Sequence, residues 1–295
     1  MTQTLSSAPN AAGRQGGSRV LTSLPPFPAV AQRLLALVSR DDCPIPEVNQ
    51  LVRSDAVFSA EILQLANSAI LASRYQVTSV LHAISVLGLA RIRSLVITLA
   101  MRDMLRAARQ NQFLQEAWRH NFATGLACEA LAQPCRYDRA IAYTAGLLHE
   151  LGRLALVSSF GARYLSMLDI AARKGIDAEA MEREILGLDH LDAGRMLCDL
   201  WNLPECLAAA VCHRRPPVGE PFGTAHLVAA GCVLAEHAGF ALTPRSAGWD
   251  PEAVVALLPA ADSAAVRACV AELEETIPMA VARFEREFLA GRFSG

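Results

Sequence analysis

Four histidines and one glutamate are the residues of this chain best placed to hold a metal ion. They are His120, His149, His190 and His213, with Glu150 directly after His149. Imidazole nitrogens and carboxylate oxygens are mixed ligands for a divalent ion, and helical bundles build such sites from single residues on several helices. Stretches of helical pattern separate the four histidines, so their side chains would converge from different elements. Neighbours on a helix point about 100° apart, so His149 and Glu150 cannot chelate one ion side by side. They can line a site held between helices. Gly146 and Gly152 flank the pair. Each allows close approach of another backbone at a cost in helix stability, which signals a geometric constraint.

The elements that must position these residues read as helices throughout. Strand alternation is scarce and no βαβ rhythm appears. Leu24-Pro25-Pro26-Phe27-Pro28 is a stiff entry that cannot be helical. Helices are then predicted over 29–39, 47–52, the stretch carrying Phe58 to Leu65, and 80–87, where Gly88 ends the run. A long helix follows over about 90–108. Beyond it come 113–132, 139–158, 161–174, 178–186, 190–201, 204–213 and 224–238, a short helix after Asp250-Pro251, and a last one to about 288. Asp138, Asp177 and Thr224 are plausible caps, and Asn67 is a local cap or turn residue. The pattern predicts an all-α, two-lobed multi-helix bundle. A disordered leader (1–23) precedes an N-terminal lobe (24–110) and a second lobe (111–222), which C-terminal helices (223–295) complete.

Several ordered motifs resemble one family. Leu24-Pro-Pro-Phe-Pro-Ala-Val30, Val52-Arg-Ser-Asp55, Ile62-Leu-Gln-Leu-Ala-Asn-Ser68 and Ala83-Ile-Ser-Val-Leu-Gly-Leu89 lie in the first lobe, with Arg91-Ile-Arg-Ser-Leu95 after them. Trp118-Arg-His120, Ala145 to Leu156, Asp189-His190, Trp201-Asn-Leu-Pro204 and His213 follow in the second. Together they resemble the HDOD family, the HD-related output domains of bacterial signalling proteins, over about residues 20 to 220. The family belongs to the HD phosphohydrolase superfamily.

The resemblance implies that His120 matches the first histidine of the HD set, His149 and Glu150 the His-Asp pair, and His190 and His213 the later histidines. The acids are depleted. Glu150 stands where the superfamily has Asp, which moves the oxygens out by roughly 1.5 Å, whereas metal–ligand distances tolerate only about 0.2 Å. The final Asp should fall after His226, where the chain reads Leu227-Val-Ala-Ala-Gly-Cys232, with no acid. Arg214 follows His213 where a second histidine is expected. Phosphoester hydrolysis needs a metal to generate hydroxide and to offset phosphoryl charge. The resemblance with these gaps therefore implies a non-enzymatic regulatory module acting on a bacterial signalling partner, with no required cofactor. A small nucleotide effector is a further reading. Two alternatives stay open: a metal-dependent HD-type phosphohydrolase acting on a nucleotide or cyclic dinucleotide, with a divalent ion on the histidines, and a catalytically dead nucleotide sensor.

Arg153 and Arg214 lie beside the remnant site and could bind phosphate without cleaving it. Arg102, Arg106 and Arg109 share one helix face at i, i+4 and i+7, a solvated face or a docking patch for a partner. His82, His226 and His237 read as structural or surface residues, and Trp118 and Trp201 as core anchors. Over 295 residues, 53% are hydrophobic and 19% charged, a globular composition, and aromatics are only 6%, so Leu, Val, Ile and Ala must fill the core. The net charge of −2 gives no global field for nucleic acid or an anionic membrane. Eight cysteines, among them Cys128 and Cys232, form no CxxC pair and read as buried reduced thiols. No apolar signal region and no membrane-length run is found, so a cytoplasmic location is expected.

Overall fold

A computed structural model describes residues 33–34, 37, 44–54, 56–67, 76–106, 111–201, 203–212, 221–242, 250–259 and 263–286, with the backbone alone at 56–58, 61, 65, 90, 93 and 99–106. The expected leader, His213, Arg214 and Arg109 lie outside these residues, as do the side chains of Arg102 and Arg106. All regular structure among the described residues is helical. The helices are α1 (Ile45–Arg53), α2 (Ala56–Ala66), α3 (Val80–Arg106), α4 (Gln112–Ala132), α5 (Arg139–Leu148), α6 (Leu151–Phe160) and α7 (Ala162–Lys174). They continue with α8 (Ala178–Leu186), α9 (His190–Leu200), α10 (Glu205–Cys212), α11 (Thr224–Ala235), α12 (Pro251–Ala256) and α13 (Ser263–Phe284).

Local chemistry accounts for the boundaries. Asn111 and Asp138 cap α4 and α5, their side chains accepting from Leu114 N and Ile141 N. Asp189 and Asp192 form a reciprocal capping box on α9. Asp177 precedes α8 but makes no side-chain cap bond, and Gly223, not Thr224, is the cap residue of α11. Asn67 ties two segments together: its amide donates to Leu63 O and Val77 O and accepts from Val77 N. Gly88 leaves helical geometry with φ +80°, so the expected stop is a sharp kink inside α3.

The stretch 139–158, expected as one helix, is two. His149 and Glu150 form the break between α5 and α6. The His149 imidazole donates from Nδ1 to Gly146 O at 2.7 Å, taking the carbonyl that the next helical turn would use. Glu150 O then accepts from Leu154 N and starts α6. The pair thus lies at a corner.

One apolar core runs from Leu34 through Ile97 and Leu147 to Phe284. It is built mainly of Leu, Val, Ile and Ala, as the low aromatic content required. Trp118 is buried against Phe122 and Phe284, at ring-centroid distances of 5.7 and 5.8 Å, which seats α13 on α4. α3 joins the later helices through polar bonds. Thr98 Oγ1 meets Tyr143 OH at 2.9 Å, and Arg91 pairs with Glu129. No helix among the described residues is long and apolar enough to cross a membrane.

Glycines set the closest helix approaches, and they cluster around the corner. A Cβ on Gly146 would stand 2.8 Å from Gly125 Cα, so α5 touches α4 backbone to backbone. A Cβ on Gly152 would stand 1.7 Å from His190 O, which seats α6 on the start of α9. A Cβ on Gly231 would meet Cys128 Sγ at 2.6 Å and Thr124 O at 3.1 Å, placing α11 on α4. The glycines flanking the His149-Glu150 pair therefore bring neighbouring helices within reach of it.

Candidate functional site

The corner divides the predicted residues into two clusters. His149 faces α4 and α11. Its Nε2 lies 3.1 Å from His120 Nε2 and 3.2 Å from Cys232 Sγ. The ligand atoms of His120, His149 and Cys232 all fall within 4.8 Å of one another. The two rings sit 5.0 Å apart, centroid to centroid.

Their outer nitrogens are fixed by backbone. His149 Nδ1 points at Gly146 O, and His120 Nδ1 at Phe240 O, 2.8 Å away. A carbonyl only accepts, so both rings carry their proton on Nδ1 and turn an Nε2 lone pair inward. Moving either proton to Nε2 would set a lone pair against a carbonyl oxygen. The Phe240 carbonyl reaches His120 because α11 ends in a single π-helical turn, Glu236–Phe240, with Gly239 at φ +96° inside it. Such widened turns re-aim backbone groups and recur at functional sites. Burial pushes His120 down to about 4, helped by the neighbouring His149, and it also lowers His149. Burial holds the Cys232 thiol well above its ordinary value.

Glu150 faces the other way. Its Oε2 accepts from Arg153 Nε at 2.6 Å. Arg153 is only 6% exposed and is the hub of a second cluster. Its Nη2 lies 3.3 Å from His190 Nε2 and its Nη1 3.5 Å from Tyr164 OH. Tyr164 OH donates to Glu182 Oε1 at 2.6 Å, and His190 Nδ1 donates to Glu182 Oε2 at 2.7 Å. The His190 backbone N–H adds a second bond to the same oxygen at 2.8 Å. The result is a closed ring: Arg153 to Tyr164 to Glu182, and back through His190. Burial pushes the Glu150 carboxyl up, but Arg153, His149 and the other neighbours outweigh it and hold the group below its ordinary range. Burial raises the Glu182 carboxyl as well, and the contacts from His190, Arg153 and Tyr164 again leave it lowered.

Of the residues singled out in the sequence, the fold brings His120 and His149 together and sends Glu150, Arg153 and His190 to the Arg153 ring. Arg153 spends its guanidinium on four protein partners, Glu150, Tyr164, His190 and, at 3.8 Å, Glu182. Of the remaining histidines, His226 Nδ1 caps Gly223 N, and His82 Nδ1 accepts from Thr78 N.

Sequence reasoning passed over Cys232, Glu182 and Tyr164. Cys232 carried a signal: it ends the stretch searched for a missing acid, and a thiol is also a metal ligand. Glu182 and Tyr164 carried none, because an acid and a phenol on two amphipathic helices look like surface residues until a buried cation faces them.

The comparisons with known proteins bear on the family and the fold. The sequence model of the HDOD domain matches residues 24–217. An uncharacterized protein of Treponema pallidum (strain Nichols) is 23% identical over 187 residues, which is 63% of this chain and 36% of that protein, so the chain spans about a third of its relative's length. Among solved structures, an HDOD domain protein of unknown function from Geobacter sulfurreducens aligns with TM-score 0.70 at 21% identity, covering 93% of this chain and 98% of the other. A candidate phosphohydrolase from Shewanella amazonensis SB2B aligns with TM-score 0.66 at 23% identity, over 94% and 98% of the two chains. A candidate signal transduction protein from Marinobacter aquaeolei VT8 aligns with TM-score 0.70 at 23% identity, over 96% and 68%. At these identities the structural likeness fixes the all-α fold. With the family's sequence model matched over most of its length, this chain belongs to the HDOD family.

Proposed function

We propose that the chain is a regulatory module that works by binding a protein partner in a bacterial signalling pathway and does not hydrolyse phosphoesters. The observation that carries this reading is the Glu150–Arg153 pair at 2.6 Å. Glu150 is the carboxylate adjacent in sequence to the buried histidines, and it is held by an internal cation instead of facing them. A hydrolytic centre of this type needs a metal-bound hydroxide and charge to offset the phosphoryl oxygens. Among the described residues, the group converging on His120 and His149 contains a thiol and no carboxylate.

The test is turnover. The purified chain, supplied with Mn²⁺, Fe²⁺ or Ni²⁺, is expected to leave cyclic dinucleotides and nucleoside phosphates intact. Hydrolysis that His149→Ala abolishes would overturn the reading in favour of an HD-type phosphohydrolase. Pull-down from cells with the full chain is expected to recover a signalling protein. Calorimetry against cyclic dinucleotides would reveal an effector role if saturable binding appeared without turnover.

A further inference from the structure

The His120 and His149 lone pairs face each other with no proton between them. The carbonyls of Phe240 and Gly146 hold both protons on the far nitrogens. A thiol S–H from Cys232 can satisfy His149 Nε2, and His120 Nε2 is then left pointing at an acceptor. Two part-buried acceptors 3.1 Å apart repel unless something positive lies between them. A metal ion meets the requirement, and the surroundings resemble those of a built metal site. Metal-binding imidazoles characteristically donate their other N–H to a carbonyl or carboxylate, which fixes the tautomer and the ring plane.

We propose that His120 Nε2, His149 Nε2 and Cys232 Sγ bind one thiophilic divalent ion of the Zn²⁺ class, leaving a fourth position for solvent. Tetrahedral bonding at about 2.0–2.1 Å to nitrogen and 2.3 Å to sulfur sets ligand–ligand edges of roughly 3.3–3.6 Å. Two of the three edges, 3.1 and 3.2 Å, need to open by a few tenths of an ångström, and the third, between His120 and Cys232, lies within 4.8 Å. The three ligands come from α4, the end of α5 and α11, and those helices are held in contact through Gly125, Gly146 and Gly231. Binding releases the thiol proton to solvent and forms a thiolate–metal bond, so charge is conserved. Thiolate and imidazole select soft and borderline ions over Mg²⁺ and Mn²⁺.

The proposal stands apart from the regulatory reading. A bound Zn²⁺ that turns over no phosphoester leaves that reading intact, and so does the absence of an ion. The experiment uses the full chain, stripped with chelator and titrated with Co²⁺, which reports a thiolate ligand through an intense near-ultraviolet charge-transfer band and tetrahedral geometry through its visible bands. One equivalent per chain is expected, displaced by Zn²⁺ and not by Mg²⁺ or Mn²⁺. Cys232→Ser should abolish the charge-transfer band, whereas Cys206→Ser, an exposed cysteine, should leave it unchanged. Zn²⁺ affinity should fall in Cys232→Ser by more than the roughly 10–100-fold that loss of an outer partner typically costs. Circular dichroism of the stripped variants shows whether they fold. Should Cys232→Ser misfold, His120→Gln provides the second arm, and retention of full Co²⁺ binding there would overturn the proposal. A band that survives Cys232→Ser would assign the ion to other thiols and overturn it. The absence of uptake at micromolar Zn²⁺ would do the same.

Discussion

The two clusters on either side of the His149–Glu150 bond solve the same problem in opposite ways. Each gathers buried polar groups from several helices. Around Arg153 the negative and accepting groups surround a cation that the sequence itself supplies. Around His149 the accepting groups meet one another, and among the described residues no cationic side chain is hydrogen-bonded between them. The difference lies in the source of the positive charge: a guanidinium that cannot be deprotonated or exchanged neutralises Glu150 permanently. It supplies the charge that a metal would, without generating a hydroxide.

The largest expected effect comes from removing that internal cation. Arg153→Met leaves Glu182 and Glu150 buried against an apolar chain, and breaking a buried pair in this way costs about 3–5 kcal/mol. Denaturant unfolding should show the midpoint falling with an unchanged slope. Cys232→Ala in chelator-treated protein removes no charge pairing and should cost about 1 kcal/mol, near the centre of point-mutation effects. Equal costs for the two variants would mean that both clusters are bound by the same forces, and the contrast between them would collapse.

Gly146→Ala probes the opposite cluster through geometry. The new methyl would stand 2.8 Å from Gly125 Cα and 2.9 Å from Thr124 O, both backbone atoms that cannot swing aside. Overpacking of this sort costs about 1–3 kcal/mol. It should also move α5 away from α4 and weaken Zn²⁺ binding, while the Arg153 ring, seated on α6, α7, α8 and α9, keeps its acid stability. Unfolding curves and Co²⁺ spectra on one variant check both halves. A variant as stable as the parent would mean that the two helices can part without loss.

Much of this arrangement was legible in the sequence. The helical periods, the caps at Asp138 and Asn67's turn role, and the glycines at 146 and 152 all follow from local chemistry, which sequence carries directly. The break at His149 was not legible. It depends on an imidazole reaching the Gly146 carbonyl, and a run of Ala, Leu and Gly gives no hint of a stop there. The partition of the ligands depends on that break. Once the pair sits at a corner, Glu150 cannot share a site with His149, so a helix misjudged by one turn changes the chemistry inferred. Cys232 was readable but hidden by the search for a carboxylate. Glu182 required knowing which helix faces Arg153, a tertiary fact that no spacing within α8 reveals.

Acid titration should separate the clusters further. The Glu182 carboxyl is held below its ordinary value of 4.5 in the folded protein. A depressed carboxylate contributes stability that is fully present above 4.5 and fades as the pH falls through its folded value. The expected loss therefore begins below about pH 4.5, and a tenfold difference in proton affinity between folded and unfolded chain corresponds to about 1.4 kcal/mol. Glu182→Gln should be less stable at neutral pH and should flatten this part of the pH profile, measured by thermal unfolding between about pH 3 and 6. A parallel pH profile for the variant and the parent would place the acid-sensitive group elsewhere.

The smallest expected effect is also the most discriminating. Glu150→Asp brings in the aspartate of the His-Asp pair that the sequence resembles, and on the sequence alone it restores metal affinity only if the remaining ligands converge. The geometry predicts no such restoration. At the corner the side chain projects toward Arg153, and shortening it by one methylene draws the carboxylate back along that direction, not across to His120 and His149. The Glu150–Arg153 contact at 2.6 Å would lengthen, and a partly buried pair weakened without being removed should cost about 1 kcal/mol. Mn²⁺ affinity should stay as it was, because the cluster still lacks an oxygen donor, and Zn²⁺ binding should persist, because its three ligands are untouched. Calorimetry with both ions on the variant decides the matter. If Mn²⁺ affinity rose tenfold or more, the aspartate would have crossed the corner, and the two clusters would have to be read as one site.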